Sequence, residues 1–358
     1  VTAGRLHRPA LSPVDAFANR AELTRLLSSG APGTIELPAG RIPVAGGLVI
    51  GAGWTVRGAE AGGTTLVQPV GSADPLLHVI GSRVRLQDLG LELPAASPGP
   101  HEGAKWTAVT VGRYFYPGPA AWVGDISLDG LVVTRAGRCA ANSITVIGAV
   151  RDLTVRDLDV RGGGTGLMVH WGGVGNGVTR IAGPSYHPHR ITVERLTVRS
   201  AFEGFCLSAA HDVTVRDTRC EDVEIGFRLL AGDNTDRYHL LGPDSDVNRR
   251  ITIDGCRIGW CGDLYAIRVA GWGRSEVDGR VRLRAFDDVR LTGCEIEPTP
   301  VVGAQPRRRV FLRVPVVLER AGAVDISTVR VVGGGLPQAR HLKLVPRASD
   351  KFRSGKPV

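Results

Sequence analysis

Aromatic residues make up only 5% of the 358-residue chain, too few for the stacking surfaces that nucleic-acid binders combine with a basic stripe. No apolar run approaches the roughly 18 residues of a membrane-spanning helix, so the chain reads as soluble. No secretory signal pattern is legible from Val1 onward. The six cysteines lack metal-ligand spacing, and Cys256 and Cys261 do not make a CxxC pair. Net positive charge is also scarcer than the total of +9 suggests. Residues 340–358 carry six Lys/Arg against one Asp, a net of +5, which leaves +4 for the rest. Neither a nucleic acid nor a membrane is expected as a partner.

An eight-residue pattern is present instead, and it recurs eight times between Val84 and Val331. It reads apolar, x, apolar, x, x, apolar, x, apolar, with copies starting at Val84, Ile126, Leu153, Ile191, Val213, Ile251, Val289 and Val324. Thr218 is the only polar residue in its 32 apolar slots. Repeats at a period of 20–50 residues are the signature of a solenoid. Alternation over three residues is a short strand with one buried face. The two-residue break would put the sixth position on the wrong face of a continuous strand, so the chain must bend there. The fifth position is Asp88, Gly130, Asp157, Arg195, Asp217, Gly255, Gly293 and Thr328. Gly and Asp tolerate the backbone that a tight bend needs. Cys256, Cys294 and Thr218 share the sixth slot with Leu196, so the two thiols are expected to stack inside the coil. Buried free thiols lean towards a reducing compartment, and a cytoplasmic location is the expectation, with secretion after removal of a signal as the alternative.

A third strand completes each coil. Val160, Val198 and Cys220 are each followed six residues later by a glycine, Gly166, Gly204 and Gly226, that opens a strand. The fold expected is all-β, a right-handed parallel β-helix with three sheets. Residues 1–335 form its single domain, and 336–358 form a basic, solvated tail. Residues 12–30 read as a capping helix, with Ser12 as N-cap, Pro13 in the first turn and Phe17, Leu23, Leu26 and Leu27 on its apolar side. Short strands are expected at 34–37, 48–50, 55–57, 65–68 and 76–80. This helix, followed by GTIELPAG and the strand before VRGA, resembles the N-terminal entry of the pectate-lyase-like β-helix superfamily. The resemblance spans the chain to about residue 335 and implies the fold. It leaves activity open, because one fold hosts many chemistries.

Gap lengths locate the site. The repeat returns after 22 residues from Ile191 but after 38 from Leu153, Val213 and Ile251. The extra residues follow the third strand each time, giving loops 171–190, 231–250 and 271–288 on one corner, with insertions 94–105 and 112–123 beside them. Loops held together on a rigid scaffold concentrate function. A groove is therefore expected along the third sheet. Met168, His170, Cys206, Ser208, Arg228, Leu230 and Arg268 alternate with buried positions and should face it. Arg228 and Arg268 suit a carboxylate or phosphate. His170, His187, His189 and Tyr238 are the candidate acid–base groups. Trp171, Tyr186, Ser208, Asp233 and Trp272 are the candidate binding groups. His187 and His189 flank Pro188 and have no carboxylate spacing, so no metal is expected, nor any other cofactor.

The sequence departs from familiar members of the superfamily. Pectin-hydrolysing members carry NTDG, GHG and R-x-K segments. Here Asn234-Thr235-Asp236 is followed by Arg237, and the other two segments are missing. The DPHE-type segment of alginate epimerases is absent as well. No carboxylate pair suited to inverting hydrolysis stands out. The reading is an enzyme acting on an acidic saccharide by proton abstraction, with β-elimination or epimerisation as outcome. Two alternatives stand beside it: an isomerase or cyclase of a small biosynthetic intermediate, and a non-catalytic glycan-binding solenoid. The oligomeric state is left open.

Overall fold

The computed structural model describes residues 5–29, 31–59, 63–71, 74–95, 106–113, 121–171, 186–231, 248–262, 265–277, 280–284, 286–299, 314–319, 321–332 and 342–345. The repeat copies form successive rungs of one solenoid. Ile126 pairs in register with Val84 and Leu153, Leu153 with Ile191, Ile191 with Val213, Val213 with Ile251, and Ile251 with Val289, all parallel. The interior is a continuous apolar stack running from Leu23 to Ala321. Cys256 and Cys294 are fully buried in it, and Thr218 is 1% exposed, as their shared slot requires.

The three expected sheets are two. A 19-stranded sheet holds both halves of the repeat, and a 10-stranded sheet holds the third strands. The larger sheet contains two ladders, joined where the strands Val150–Arg161 and His189–Arg199 run unbroken through the bend. The bend itself is where the pattern puts it. Asp88, Gly130, Asp157, Arg195, Asp217, Gly255 and Gly293 all have left-handed φ between 49° and 64°. A second left-handed column, which the pattern does not announce, precedes seven of the eight repeats, at Arg83, Asp125, Asp152, Arg190, Asp212, Arg250 and Asp288. It contains no glycine. Side-chain pairs join neighbouring coils along it: Arg190 Nε donates to Asp152 at 2.6 Å, and Arg250 grips Asp212 with two donors.

The smaller sheet runs in register from Leu48–Ile50 through Thr165–His170, Glu203–Ser208, Ile225–Leu230 and Ile267–Ala270 to Val316–Glu319. Its last strand, Leu342–Val345, lies within the segment read as tail. The leading glycines permit close approach of neighbouring coils. A Cβ on Gly204 would sit 2.4 Å from Cys220 Sγ.

The capping helix spans Ala16–Leu27, shorter than 12–30. Its N-cap is Asp15, whose carboxylate accepts from Phe17 N and Ala18 N; Ser12 Oγ accepts from Val14 N and Asp15 N one turn earlier. Leu23 and Leu26 pack on the first coil, whereas Phe17 is 72% exposed. The loop 271–288 is an antiparallel hairpin, Trp272–Val277 with Arg280–Arg284.

Candidate functional site

The smaller sheet presents the expected rows, but three of the seven expected outward positions are covered. Leu167, Val169, Phe205, Leu207, Phe227, Leu229, Ile267 and Val269 are buried inside. Of the positions expected on an open floor, His170 is 5% exposed, Cys206 1% and Ser208 1%. Thr110 and Thr145, in the same outward row as Met168, are fully buried. Met168 and Leu230 are half-buried, and so are Arg228 and Arg268, whose side chains are 29% and 32% exposed.

Both arginines carry their own carboxylates. Arg228 Nη2 donates to Glu203 Oε2 at 2.9 Å, and its Nε lies 2.7 Å from Oε1. Glu203 is 1% exposed and also accepts from Thr165 Oγ1 at 2.9 Å. Burial pushes the Glu203 carboxyl upward against the opposing pull of Arg228. The neighbouring Cys206, then Glu203, raise Arg228 above the usual arginine range. Arg268 Nε donates to Glu319 at 2.9 Å, and its guanidinium lies 5.6 Å from the Tyr265 ring centre. The two arginines thus offer directed donors on a face with little net charge.

Imidazoles gather at the corner between the end of the smaller sheet and the start of the larger one. His170 ends its strand, in register with Ser208, and stacks on Trp171 at 5.8 Å. Burial, with the Arg228 charge adding to it, lowers His170 to about 3, so its ring is neutral at ordinary pH. His187 is fully buried, and its carbonyl lies 3.1 Å from His189 Nδ1. His189 pairs in register with His211, and the two rings stack 4.7 Å apart at 8°. Trp122 meets His189 edge-on at 4.8 Å and Tyr186 at 5.6 Å, and the Arg151 guanidinium lies 5.6 Å from the Trp122 ring centre.

The sequence reading missed His211, although its place was legible. His211-Asp212-Val213 occupies the register of His189-Arg190-Ile191 one coil later. The same place is Arg151 one coil before, and Arg249 stands two residues before Ile251 one coil after. His211 Nδ1 lies 2.6 Å from Asp212 Oδ2. Glu203 was missed too, since nothing in its spacing marks a residue that precedes a glycine-led strand. Tyr238 and Asp233 lie outside the described residues. Trp272 opens the hairpin that follows the smaller sheet. Among the described residues, no group of three or more His, Cys, Asp or Glu is placed to hold a metal ion, and no helix is long and apolar enough to cross a membrane.

No family model and no curated protein matches this sequence. Solved structures do. The enzymatically active domain of tailspike protein 2 of bacteriophage CBA120 superposes with a TM-score of 0.58 at 12% identity, covering 93% of this chain and 43% of its own. A mannuronan C-5 epimerase A-module from Azotobacter vinelandii gives 0.42 at 15%, covering 92% and 96%. An endo-xylogalacturonan hydrolase from Aspergillus tubingensis gives 0.47 at 11%, covering 96% and 100%. At these identities the likeness is one of fold. The chain is a right-handed parallel β-helix of the pectate-lyase-like fold.

Proposed function

We propose that this protein is an enzyme acting on a saccharide, and more narrowly that it abstracts the proton beside a carboxylate of an acidic saccharide, giving β-elimination or epimerisation. One observation carries the reading. Three of the chain's nine histidines, His187, His189 and His211, meet at one corner of the solenoid, and His170 ends a strand of the adjoining sheet. Imidazole is the side chain best matched to proton transfer near neutral pH. The Arg151 and Arg249 side chains flank this row along the coil axis. Arg249 makes no ion pair among the described residues, and Arg151 lies 3.8 Å from an Asp152 already held by Arg190. Cations beside the developing carbanion lower its cost. Arg228 and Arg268 supply hydrogen-bond donors on the adjoining face, and Tyr186 is the acid.

The test is release of unsaturated uronate, followed by ultraviolet absorbance across a panel of anionic polysaccharides with and without chelator. Exchange of the sugar C–H in deuterated water, run alongside, detects epimerisation. Activity lost in Arg249→Ala with the fold intact supports the reading. Silence in both assays removes it. A second reading, an isomerase or cyclase of a small molecule, is favoured by the burial of His170, Cys206 and Ser208 at 5%, 1% and 1% exposure. Small sites are enclosed, with a few directed polar groups. Turnover of short uronates but not polymers would select it.

A further inference from the structure

We infer that Arg250, Asp212 and His211 form a relay that fixes the His211 proton on Nδ1 and presents a bare Nε2 as the proton acceptor of the site. The assignment rests on the proton-abstraction reading above. An ionised carboxylate only accepts hydrogen bonds. The 2.6 Å contact between His211 Nδ1 and Asp212 Oδ2 therefore requires the proton on Nδ1. Asp212 is kept ionised, at about 2, by the Arg250 bond first and by His211 second. Arg250 Nη2 donates to Oδ2 at 2.7 Å while its Nε reaches Oδ1, so the carboxylate cannot swing away from the ring. The ring plane is held independently, by the face of His189 at 4.7 Å.

Nε2, across the ring, is buried and has no hydrogen-bond partner among the described residues, on a residue 6% exposed. A buried polar atom without a partner is uncommon and calls for a reason. Here the reason is a substrate proton. His189 does not share the arrangement, because its Nδ1 faces the His187 carbonyl at 3.1 Å and not a carboxylate. In the step, the C–H bond beside the substrate carboxylate breaks and its proton passes to Nε2. Its electron pair is held on the enediolate. His211 becomes an imidazolium facing Asp212. In elimination that electron pair forms the C=C bond as the adjacent C–O bond breaks, and the leaving oxygen takes the proton from Nε2. Asp212 and Arg250 are positioning residues, and only His211 touches the reacting proton.

The experiment is long-range proton–nitrogen correlation on the full-length, 15N-labelled protein at neutral pH, with the His211 signals identified by their loss in His211→Gln. The expected spectrum has a protonated Nδ1 and an unprotonated Nε2. Asp212→Asn and Arg250→Ala should each mix the tautomers, and Arg250→Lys should restore the wild-type pattern. A merely structural Arg250 would change stability and leave the tautomer alone. An Nε2–H tautomer in the wild type overturns the relay, and a tautomer unchanged in Arg250→Ala removes Arg250 from it. With a substrate, His211→Gln should lower kcat by about 10²–10⁴-fold. Absence of any turnover defeats the functional reading, whereas the spectra decide the relay without a substrate.

Discussion

The larger and smaller sheets both carry arginine–carboxylate pairs on their outer surfaces, under opposite conditions. At the corners of the larger sheet, Arg190–Asp152 and Arg195–Asp157 are bidentate, and all four side chains are 46–52% exposed. On the smaller sheet, Glu203 of the Arg228 pair is 1% exposed. Exposed pairs cost little to form and contribute little. A buried pair bears a desolvation cost that its attraction only partly returns, so it is weak evidence for stability. The corner pairs accompany a backbone need, the left-handed residues that turn the coil. The sheet-face pair answers no such need, and it joins Glu203 and Arg228 across neighbouring strands of the smaller sheet. Scaffold and site are thus distinguished by what the same two side chains cost.

The largest effect should come from breaking the buried pair. Arg228→Ala leaves Glu203 buried with Thr165 as its remaining donor, and a loss of about 3–5 kcal/mol is expected at neutral pH, read from urea unfolding. The sign with pH follows from the direction of the shift. Burial already raises Glu203 in the folded state, and losing Arg228 raises it further. The folded chain then holds that proton more tightly than the unfolded chain, so stability falls as pH rises through the folded value. The deficit of the variant should therefore be largest near pH 8 and shrink towards pH 5. A deficit that ignores pH would mean that Glu203 is not the stranded charge. For the same reason Arg228→Ala is a poor probe of catalysis, because fold and function would be lost together.

Asp212 lies between the two conditions, at 28% exposure, and its removal should have an intermediate effect. It is held at about 2, by Arg250 first and His211 second, against roughly 3.9 in an unfolded chain. Its contribution is fully present above the unfolded value and is lost as pH falls from about 4 towards 2. Solvent screening cuts the nominal figure for such a shift, leaving about 1 kcal/mol. Thermal melts of Asp212→Ala and wild type should differ at pH 6 and converge near pH 2. A gap that persists in acid would place the loss in the backbone rather than in the charge.

How much of this was legible follows the same division. The first bend could be read because glycine stands at three of its positions, Gly130, Gly255 and Gly293, and because the apolar phase shifts there. The second left-handed column holds only Asp and Arg, residues common on any surface, so no local signal marks it. Arg190 and Arg250, at positive φ, each have a carboxylate partner one coil away, 38 residues along the chain in the Asp152–Arg190 and Asp212–Arg250 pairs. The third strands were read from Gly166, Gly204 and Gly226, which neighbouring coils approach too closely for a Cβ. Their separation from the rest was read as well. The merging of the first two ladders was not, because hydrogen bonds carried through a bend leave the apolar pattern unchanged. At the site, His170, His187 and His189 were found as a cluster of one residue type. His211 was not, because it is a lone histidine until the coils are aligned. Burial of Ser208 and Cys206 was likewise out of reach, since alternation gives the face of a residue and not what lies over it.

The smallest effect should come from the exposed corner, where two terms oppose each other. Arg195 has φ 55° and donates twice to Asp157. Glycine there would relieve the left-handed strain that any side chain bears. It would also forfeit an exposed ion pair and add freedom to the unfolded chain. The terms are similar in size, so Arg195→Gly should shift Tm by less than about 2 °C. Arg250→Gly makes the same exchange of backbone strain for a lost bidentate pair, at φ 54°. There the released carboxylate is also the partner of a buried imidazole, His211, at 2.6 Å. Arg250→Gly should therefore lower Tm measurably more than Arg195→Gly. Equal shifts would mean that the two corners are energetically alike and that Asp212 does nothing for His211 beyond lying near it. An unequal pair would isolate, in one backbone geometry, what the histidine adds to an otherwise ordinary corner of the coil.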